Sequence, residues 1–98
     1  MPSTSGVFTT GENSDIDTAA ELLIAPTIKC VFGILVKADK ENAGTIYIGP
    51  KGVTADTNDA TDGFPLEAGE ALFIEVDDSR LVYVIASVEN QKARYVAV

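Results

Sequence analysis

The fold is decided by residues 63–76, which read GFPLEAGEALFIEV. Pro65 fixes its own φ and disfavours a helical conformation for Phe64, and Gly69 can adopt the positive φ that a tight reversal often needs. From residue 71 onward large apolar side chains occupy every second position, which is the period of a β-strand. The stretch therefore predicts a turn that feeds a strand. The expected core face of that strand consists of Leu72, Ile74 and Val76.

The rest of the chain repeats this design of short apolar segments separated by turns. Residues 28–37 form the clearest segment, with apolar side chains at alternate positions and Gly33 in the middle. A glycine there predicts a bulge or a close backbone approach. Further strands are expected near residues 18–25, 45–48, 81–86 and 93–98. About seven to eight short strands and no convincing helix predict an all-β fold, an antiparallel β-sandwich of jelly-roll type.

The first 17 residues differ from the remainder in composition. They are small, polar and rich in turn formers, and Val7 and Phe8 are their only large apolar pair before Ile16. We therefore predict a β-sandwich domain over residues 18–98, preceded by an extended or flexible N-terminal arm over residues 1–17. The arm is either a frayed end or a segment that orders on a neighbouring subunit, with Val7 and Phe8 as its anchors.

Charge and hydropathy argue against two classes of partner. The 98 residues include 7 Lys and Arg against 15 Asp and Glu, for a net charge of −8. Nucleic-acid binding depends on clustered cations, so no nucleic-acid partner is expected. No apolar run approaches the ~18 residues of a membrane span, and the opening residues MPSTSG do not resemble a signal peptide. We expect no membrane partner and synthesis in the cytoplasm without a signal peptide.

The sequence offers little for catalysis. It contains no histidine, and Cys30 is its single cysteine. A nucleophilic cysteine needs a base that forms the thiolate, so Cys30 is interpreted as a small core hydrophobe. We therefore expect a protein that is not an enzyme, with no catalytic residues, no cofactor and no metal.

One acidic loop invites comparison with a calcium site. Asp56, Asp59 and Asp62 lie close together, with Asn58 between them and Gly63 after them. Oxygen-rich loops can hold calcium, but this spacing does not match the helix-loop-helix calcium signature. A solvated acidic loop is the favoured interpretation, and a calcium site is the alternative.

Three motifs carry a family resemblance. They are TIYIG at residues 45–49, PLEAGE at residues 65–70 and YVIAS at residues 83–87. In this order, residues 18–98 resemble the small β-sandwich structural proteins of tailed bacteriophages, particularly capsid decoration (cement) proteins and head-fibre base domains. The resemblance implies a virion component on the capsid surface, a homotrimer that binds the major capsid protein and stabilises contacts between capsid subunits. It does not extend to the N-terminal arm.

Two apolar surfaces are candidates for the subunit interface. Residues 93–98 form a strand that ends on apolar side chains without a polar tail, and the second face of residues 28–37 is apolar in its middle. Exposed strand edges must be blunted or used, and closed symmetry such as that of a trimer buries such surfaces. The predicted interface residues are Val31, Leu35, Tyr95, Val96 and Val98.

A second function remains open, that of a tail, fibre or neck module that takes part in virion assembly or binds a host receptor or glycan. Glycan sites often use exposed aromatic platforms, but the chain has no tryptophan. Its tyrosines, Tyr47, Tyr83 and Tyr95, each lie within a predicted strand, where packing is the default role.

Overall fold

Strand pairing defines the architecture. In the computed structural model, which describes residues 8–55 and 62–98, eight strands form two four-stranded antiparallel sheets. The strands are β1 (Thr9–Ile16), β2 (Glu21–Leu22), β3 (Ile34–Ala38), β4 (Ile46–Gly49), β5 (Phe64–Leu66), β6 (Ala71–Ile74), β7 (Tyr83–Ala86) and β8 (Gln91–Ala97). The helical structure in these residues is a single 3₁₀ turn, Ser79–Leu81.

The order of the strands is that of a jelly roll. Sheet I has the order β1-β8-β3-β6, and sheet II has the order β2-β7-β4-β5. The first strand pairs with the last, the second with the seventh, the third with the sixth and the fourth with the fifth. Such nested pairs arise when a long two-stranded ribbon folds over into two facing sheets, and this is the construction of a jelly roll. The predicted all-β, antiparallel, jelly-roll-like sandwich is confirmed.

The core lies between the two sheets and follows the period of two along each strand. On β3, for example, Ile34 and Val36 are fully buried while Leu35 and Lys37 are exposed. Aliphatic side chains fill the interior, as befits the narrow space between packed sheets. The largest of the fully buried apolar residues are Ile16, Leu23, Ile24, Ile34, Ile46, Leu66, Val36, Val82 and Val84.

The prediction of an arm separate from the sandwich is wrong for residues 9–16, which form a strand of sheet I. This segment is β1, which pairs with β8 from Thr9 opposite Ala97 to Ile16 opposite Gln91. Ile16 is fully buried in the core. The segment lacks apolar alternation because most of its side chains lie at the edge of the sheet, where polar groups reach water. Its order comes from backbone pairing, which a sequence pattern does not reveal.

The predicted strand over residues 28–37 begins later than expected. Strand β3 starts at Ile34, after Gly33, which has a φ of +151°. A Cβ atom on Gly33 would collide with the carbonyl oxygen of Ile74 and would come within 2.8 Å of the Phe73 ring. Gly33 therefore permits a close backbone approach, as predicted, and it also ends the regular strand. Residues 28–30 leave the sheet and bind to the segment that follows β6.

The buried and exposed faces of β3 give a direct test of this arrangement. Replacing the fully buried Ile34 by alanine removes core contacts and leaves a cavity, so we expect a loss of about 2–5 kcal/mol in the free energy of unfolding. The matched control is Leu35→Ala on the opposite face, with an expected loss of less than about 1 kcal/mol. Urea denaturation followed by circular dichroism measures both, and equal losses would contradict the assigned faces.

Candidate interaction surface

All four phenylalanines of the chain lie at the surface. Their exposed fractions are 61% for Phe8, 58% for Phe32, 57% for Phe64 and 45% for Phe73. Phenylalanine is normally among the most buried residue types, yet the core of this protein consists mainly of aliphatic side chains. Grouped exposed apolar side chains mark sites of interaction with other molecules. A face on which several of these rings lie together is therefore a candidate binding surface.

Three of the rings lie toward one end of sheet I, where they form part of an apolar patch. Phe73 is opposite Leu35, which is in turn opposite Val96, so these three side chains form a row across the outer face. Phe8 immediately precedes β1 at the same end, and the backbone of Phe32 is bonded to Val98. The apolar patch consists of Phe8, Val31, Phe32, Leu35, Phe73, Val96 and Val98.

Positive charge lies next to the apolar patch on the same face. Lys37 and Arg94 are opposite each other on β3 and β8, and a guanidinium nitrogen of Arg94 lies 3.5 Å from a carboxylate oxygen of Glu12 on β1. A depression of about 450 Å³ is lined by both cations together with Leu35 and Val96. Like charges directly across a sheet repel, so an acidic group of a partner would be favourable between Lys37 and Arg94.

The outer face of sheet II is different because the chain itself covers part of it. Tyr47 and Ile85 are opposite each other on this face, and Ile85 is buried. The loop after β4 places Val53 in a buried position, and a Cβ atom on Gly63 would lie 2.6 Å from a methyl group of Val53. Among the described residues, then, the large exposed apolar surface on a sheet face belongs to sheet I.

A turn around one carbonyl oxygen holds the exposed side chains of Val31 and Phe32. The N–H groups of Val31, Phe32 and Gly33 donate to the carbonyl oxygen of Val98 at 2.9, 2.8 and 3.1 Å. The turn therefore fixes two large apolar side chains beside β8 even though its residues belong to no strand. Val31 is 72% exposed in this position.

Charged groups clamp the segment that leads into this turn. The carboxylate of Asp78, only 11% exposed, accepts hydrogen bonds from Lys29 Nζ at 2.7 Å and from Arg80 Nη2 at 2.8 Å. It also caps the 3₁₀ turn by accepting a bond from the backbone N–H of Arg80 at 2.9 Å. The Arg80 side chain first, and Lys29 second, hold the pKa of Asp78 well below its ordinary value. We call Asp78, Lys29 and Arg80 the Asp78 cluster.

Buried hydrogen bonds reinforce the same clamp. The hydroxyl of Ser79, which is fully buried, accepts a bond from the N–H of Ile28 at 2.8 Å and donates to the carbonyl of Pro26 at 3.3 Å. The N–H of Ser79 donates to the carbonyl of Ile28 at 2.9 Å, and the N–H of Cys30 donates to the backbone carbonyl of Asp77 at 2.9 Å. These bonds draw residues 26–30 onto the 3₁₀ turn and so position the apolar side chains that follow.

Cys30 is a core residue, as predicted. It is buried, and burial first, followed by the nearby charges of Asp78 and Asp77, raises the pKa of its thiol. A raised pKa disfavours the thiolate that nucleophilic chemistry needs. This environment suits a packing role.

One end of the acidic loop, at Asp62, belongs to the described residues. Asp56 and Asp59 lie outside the described residues. Asp62 is described, and its carboxylate accepts a hydrogen bond from the Thr54 hydroxyl at 2.6 Å. Residues 8–55 and 62–98 contain no cluster of three or more acidic, cysteine or histidine side chains that could hold a metal ion.

The structure brings most of the predicted interface residues together. Leu35 and Val96 are paired on the outer face of sheet I, and Val31 lies beside Val98. Tyr95 is the exception, because it faces the other side of β8, where it packs against the core and its ring covers Gly11. Adjacent residues of a strand point to opposite faces, so Tyr95 and Val96 cannot belong to one surface. Of the predicted arm anchors, Phe8 lies at the edge of the apolar patch and Val7 lies outside the described residues.

Two prominent residues of the patch were not predicted from the sequence. The alternation over residues 28–37 puts Phe32 on the same face as Ile34 and Val36, but the strand begins after Phe32. Gly33 was the available signal, because a glycine with positive φ breaks the alternation of faces. Phe73 shares its face with Ala71 and Glu75, and the glutamate was a sign that this face meets solvent.

Comparisons with known proteins add no relative. No protein-family model, curated protein or solved structure matches the chain. Within residues 8–55 and 62–98, no helix has the length and apolar character needed to cross a bilayer.

The Asp78 cluster gives a pH-dependent prediction. Because the pKa of Asp78 is lower in the folded than in the unfolded protein, its charge stabilises the fold above the unfolded pKa of about 4. That contribution is lost as the pH falls toward the folded pKa. We expect Asp78→Asn, which retains a capping oxygen, to lower the free energy of unfolding at neutral pH and to flatten its decline in acid.

Urea denaturation at several pH values between about 6 and 3 measures this effect. The exposed neighbour Asp77, changed to asparagine, is the matched control because it removes one carboxylate next to the cluster. Parallel pH profiles for wild type and Asp78→Asn would contradict the stabilising role of the cluster.

Proposed function

We propose that the protein is a structural component of a bacteriophage virion, a capsid decoration (cement) protein. It binds the outside of the head, contacts the major capsid protein and stabilises the contacts between neighbouring capsid subunits. The observation that carries this proposal is the apolar patch on the outer face of sheet I, where three of the four phenylalanines are exposed. Such a surface serves association with another protein.

The architecture supports a structural role by analogy. Jelly rolls occur in viral capsid proteins and also in lectins, and a fold alone does not decide between such functions. The outer face of sheet I favours a protein partner, because apolar side chains form its centre and Lys37, Arg94 and Glu12 stand beside them. An apolar centre with a charged rim is the usual composition of a protein interface.

The proposed assembly is a homotrimer. The apolar patch is shared between contacts with neighbouring copies and contacts with the capsid, and Val31, Leu35, Val96 and Val98 are the proposed contact residues. Three copies held together bind an array of capsid subunits with avidity, because each further contact forms at a high effective concentration. Sedimentation equilibrium of the purified protein measures the mass of the assembly.

The alternative is a tail, fibre or neck module, either in virion assembly or in binding a host receptor or glycan. Its support is the occurrence of jelly rolls among lectins. Cross-linking mass spectrometry of virions that contain the protein separates the two placements. We expect links from Lys37, which follows Leu35 on the same face, to the major capsid protein, and few from Lys51, which lies in the loop after β4 of sheet II. Links to tail proteins alone would overturn the capsid placement.

Substitution of the exposed rings tests the contact surface. We expect Phe32→Ser combined with Phe73→Ser to weaken binding to heads at least about 100-fold, because each buried phenylalanine contributes roughly 1.5–3 kcal/mol. The matched control is Phe64→Ser on β5, an equally exposed ring in sheet II. Binding is measured by co-sedimentation with heads that lack the protein, and circular dichroism verifies the fold of each variant. Equal weakening by Phe64→Ser would contradict the assignment of the surface.

A further inference from the structure

The four sheet edges differ in their capacity to accept another strand. Strand β2 has two residues, and β5 has three with Pro65 among them. Short strands and prolines are ways in which proteins close an edge. Strand β1, in contrast, has eight residues and contains neither proline nor lysine. Its first five residues run in unbroken register with β8, before an irregularity between Asn13 and Ile16.

Hydrogen bonds on the far side of β8 show which of its groups face β1. Gly33 and Val98 exchange two bonds, at 2.9 and 3.1 Å, and the N–H of Asp39 donates to the carbonyl of Lys92 at 3.1 Å. In an antiparallel pair the bonded positions alternate with non-bonded ones. The even-numbered residues of β8 therefore bond to β3, and its odd-numbered residues bond to β1.

The same alternation identifies the unpaired groups of β1. Gly11 is opposite Tyr95, an odd-numbered residue of β8, and is therefore in a bonded pair. Its neighbours Thr10 and Glu12 direct their N–H and C=O groups away from β8. In the described part of the chain β1 pairs with β8 alone, so these two residues offer two donors and two acceptors along an open edge.

A groove beside β1 determines which side chains an added strand can carry. It lies between β1 and β2, has a volume of about 280 Å³, and is lined by Glu12, Asp15, Glu21, Leu22 and Tyr95 among others. Alternate side chains of an added strand point into this groove. Lysine or arginine fits there, because the aliphatic stem can pack on Leu22 and Tyr95 while the charged end reaches the acidic groups of Asp15 and Glu21.

The charge of the edges disfavours a second copy as the added strand. Strand β1 carries Glu12 and Asp15, and the opposite edge strand of sheet I, β6, lies between Glu70 and Glu75. Pairing these edges between two copies brings like charges together, which is unfavourable across neighbouring strands.

We propose that the open edge of β1 binds an extended segment of a partner protein, with lysine or arginine at alternate positions, as a fifth strand of sheet I. Main-chain hydrogen bonds to Thr10 and Glu12 supply affinity, and the acidic groove supplies selectivity, as in other cases of strand addition. This inference rests on the edge and the groove and does not depend on the capsid placement. In a decoration protein the segment belongs to the capsid subunit.

Two peptides of opposite charge test the proposal on the full-length protein. The probes are acetyl-VKVKVKV-amide and acetyl-VEVEVEV-amide, and amide hydrogen exchange of the ¹⁵N-labelled protein is followed by NMR. We expect the lysine peptide to slow exchange at the Thr10 and Glu12 amides, and the glutamate peptide to leave it unchanged. Equal protection by both peptides, or protection of Thr10 that rises with protein concentration without peptide, would overturn the proposal.

Proline substitutions locate the binding edge. Thr10→Pro removes one outward N–H without breaking a bond to β8, and we expect it to weaken binding of the lysine peptide by roughly tenfold. The matched control is Ala71→Pro on β6. Ala38 bonds to the backbone of Glu70 and Gly69, so the alternation directs the N–H of Ala71 to the opposite open edge. Equal weakening by the two prolines would exclude β1 as the binding edge.

A charge reversal gives a second test that keeps every backbone N–H in place. We expect Glu21→Lys, which reverses a charge that lines the groove, to lower the affinity for the lysine peptide and to raise that for the glutamate peptide, both by several-fold. Unchanged preference between the two peptides would contradict the role of the groove. These measurements need no virion. The strand-addition proposal can therefore be contradicted while the proposed binding to heads is confirmed, and the reverse is also possible.

Discussion

Strand β8 is the element on which the rest of the structure depends. It lies between β1 and β3 and bonds to both through alternate residues. The same alternation sends Ala93 and Ala97 into the core and Arg94 and Val96 to the outer face. A shift of one residue would exchange these two sets, so a single register fixes the hydrogen bonds of sheet I, its contribution to the core and the composition of its outer surface.

The two sheets meet their surroundings differently, and this asymmetry underlies the functional argument. A loop of the chain covers part of sheet II with Val53, whereas sheet I presents the exposed side chains of Leu35 and Phe73 on its outer face. Exposure of this apolar surface costs solubility, which the net charge of −8 helps to maintain. Polar groups also hold part of this surface in place, because the Asp78 cluster and buried Ser79 position the turn that carries Val31 and Phe32.

The sequence predicted those parts of the fold in which side-chain alternation and burial coincide. Residues 71–76 show this, because Leu72 and Ile74 pack toward the core as expected. Strand β1 was not predicted, since its polar residues are ordered by the edge of β8, which is about 80 positions away along the chain. In the candidate surface, Leu35 and Val96 were predicted from their faces. Phe32 was not, because the effect of Gly33 on the path of the chain depends on its contact with Ile74.

The nesting of first strand with last has a consequence for the order of events during synthesis. Strand β8 is the last of the eight to leave the ribosome, yet it occupies an interior position of sheet I. Sheet I therefore cannot form until residues 91–97 have emerged, and such distant pairings fold slowly. Until then neither the outer face nor the open edge of β1 exists as a surface. The nascent chain is thus unable to engage its partners through them before its own fold is finished.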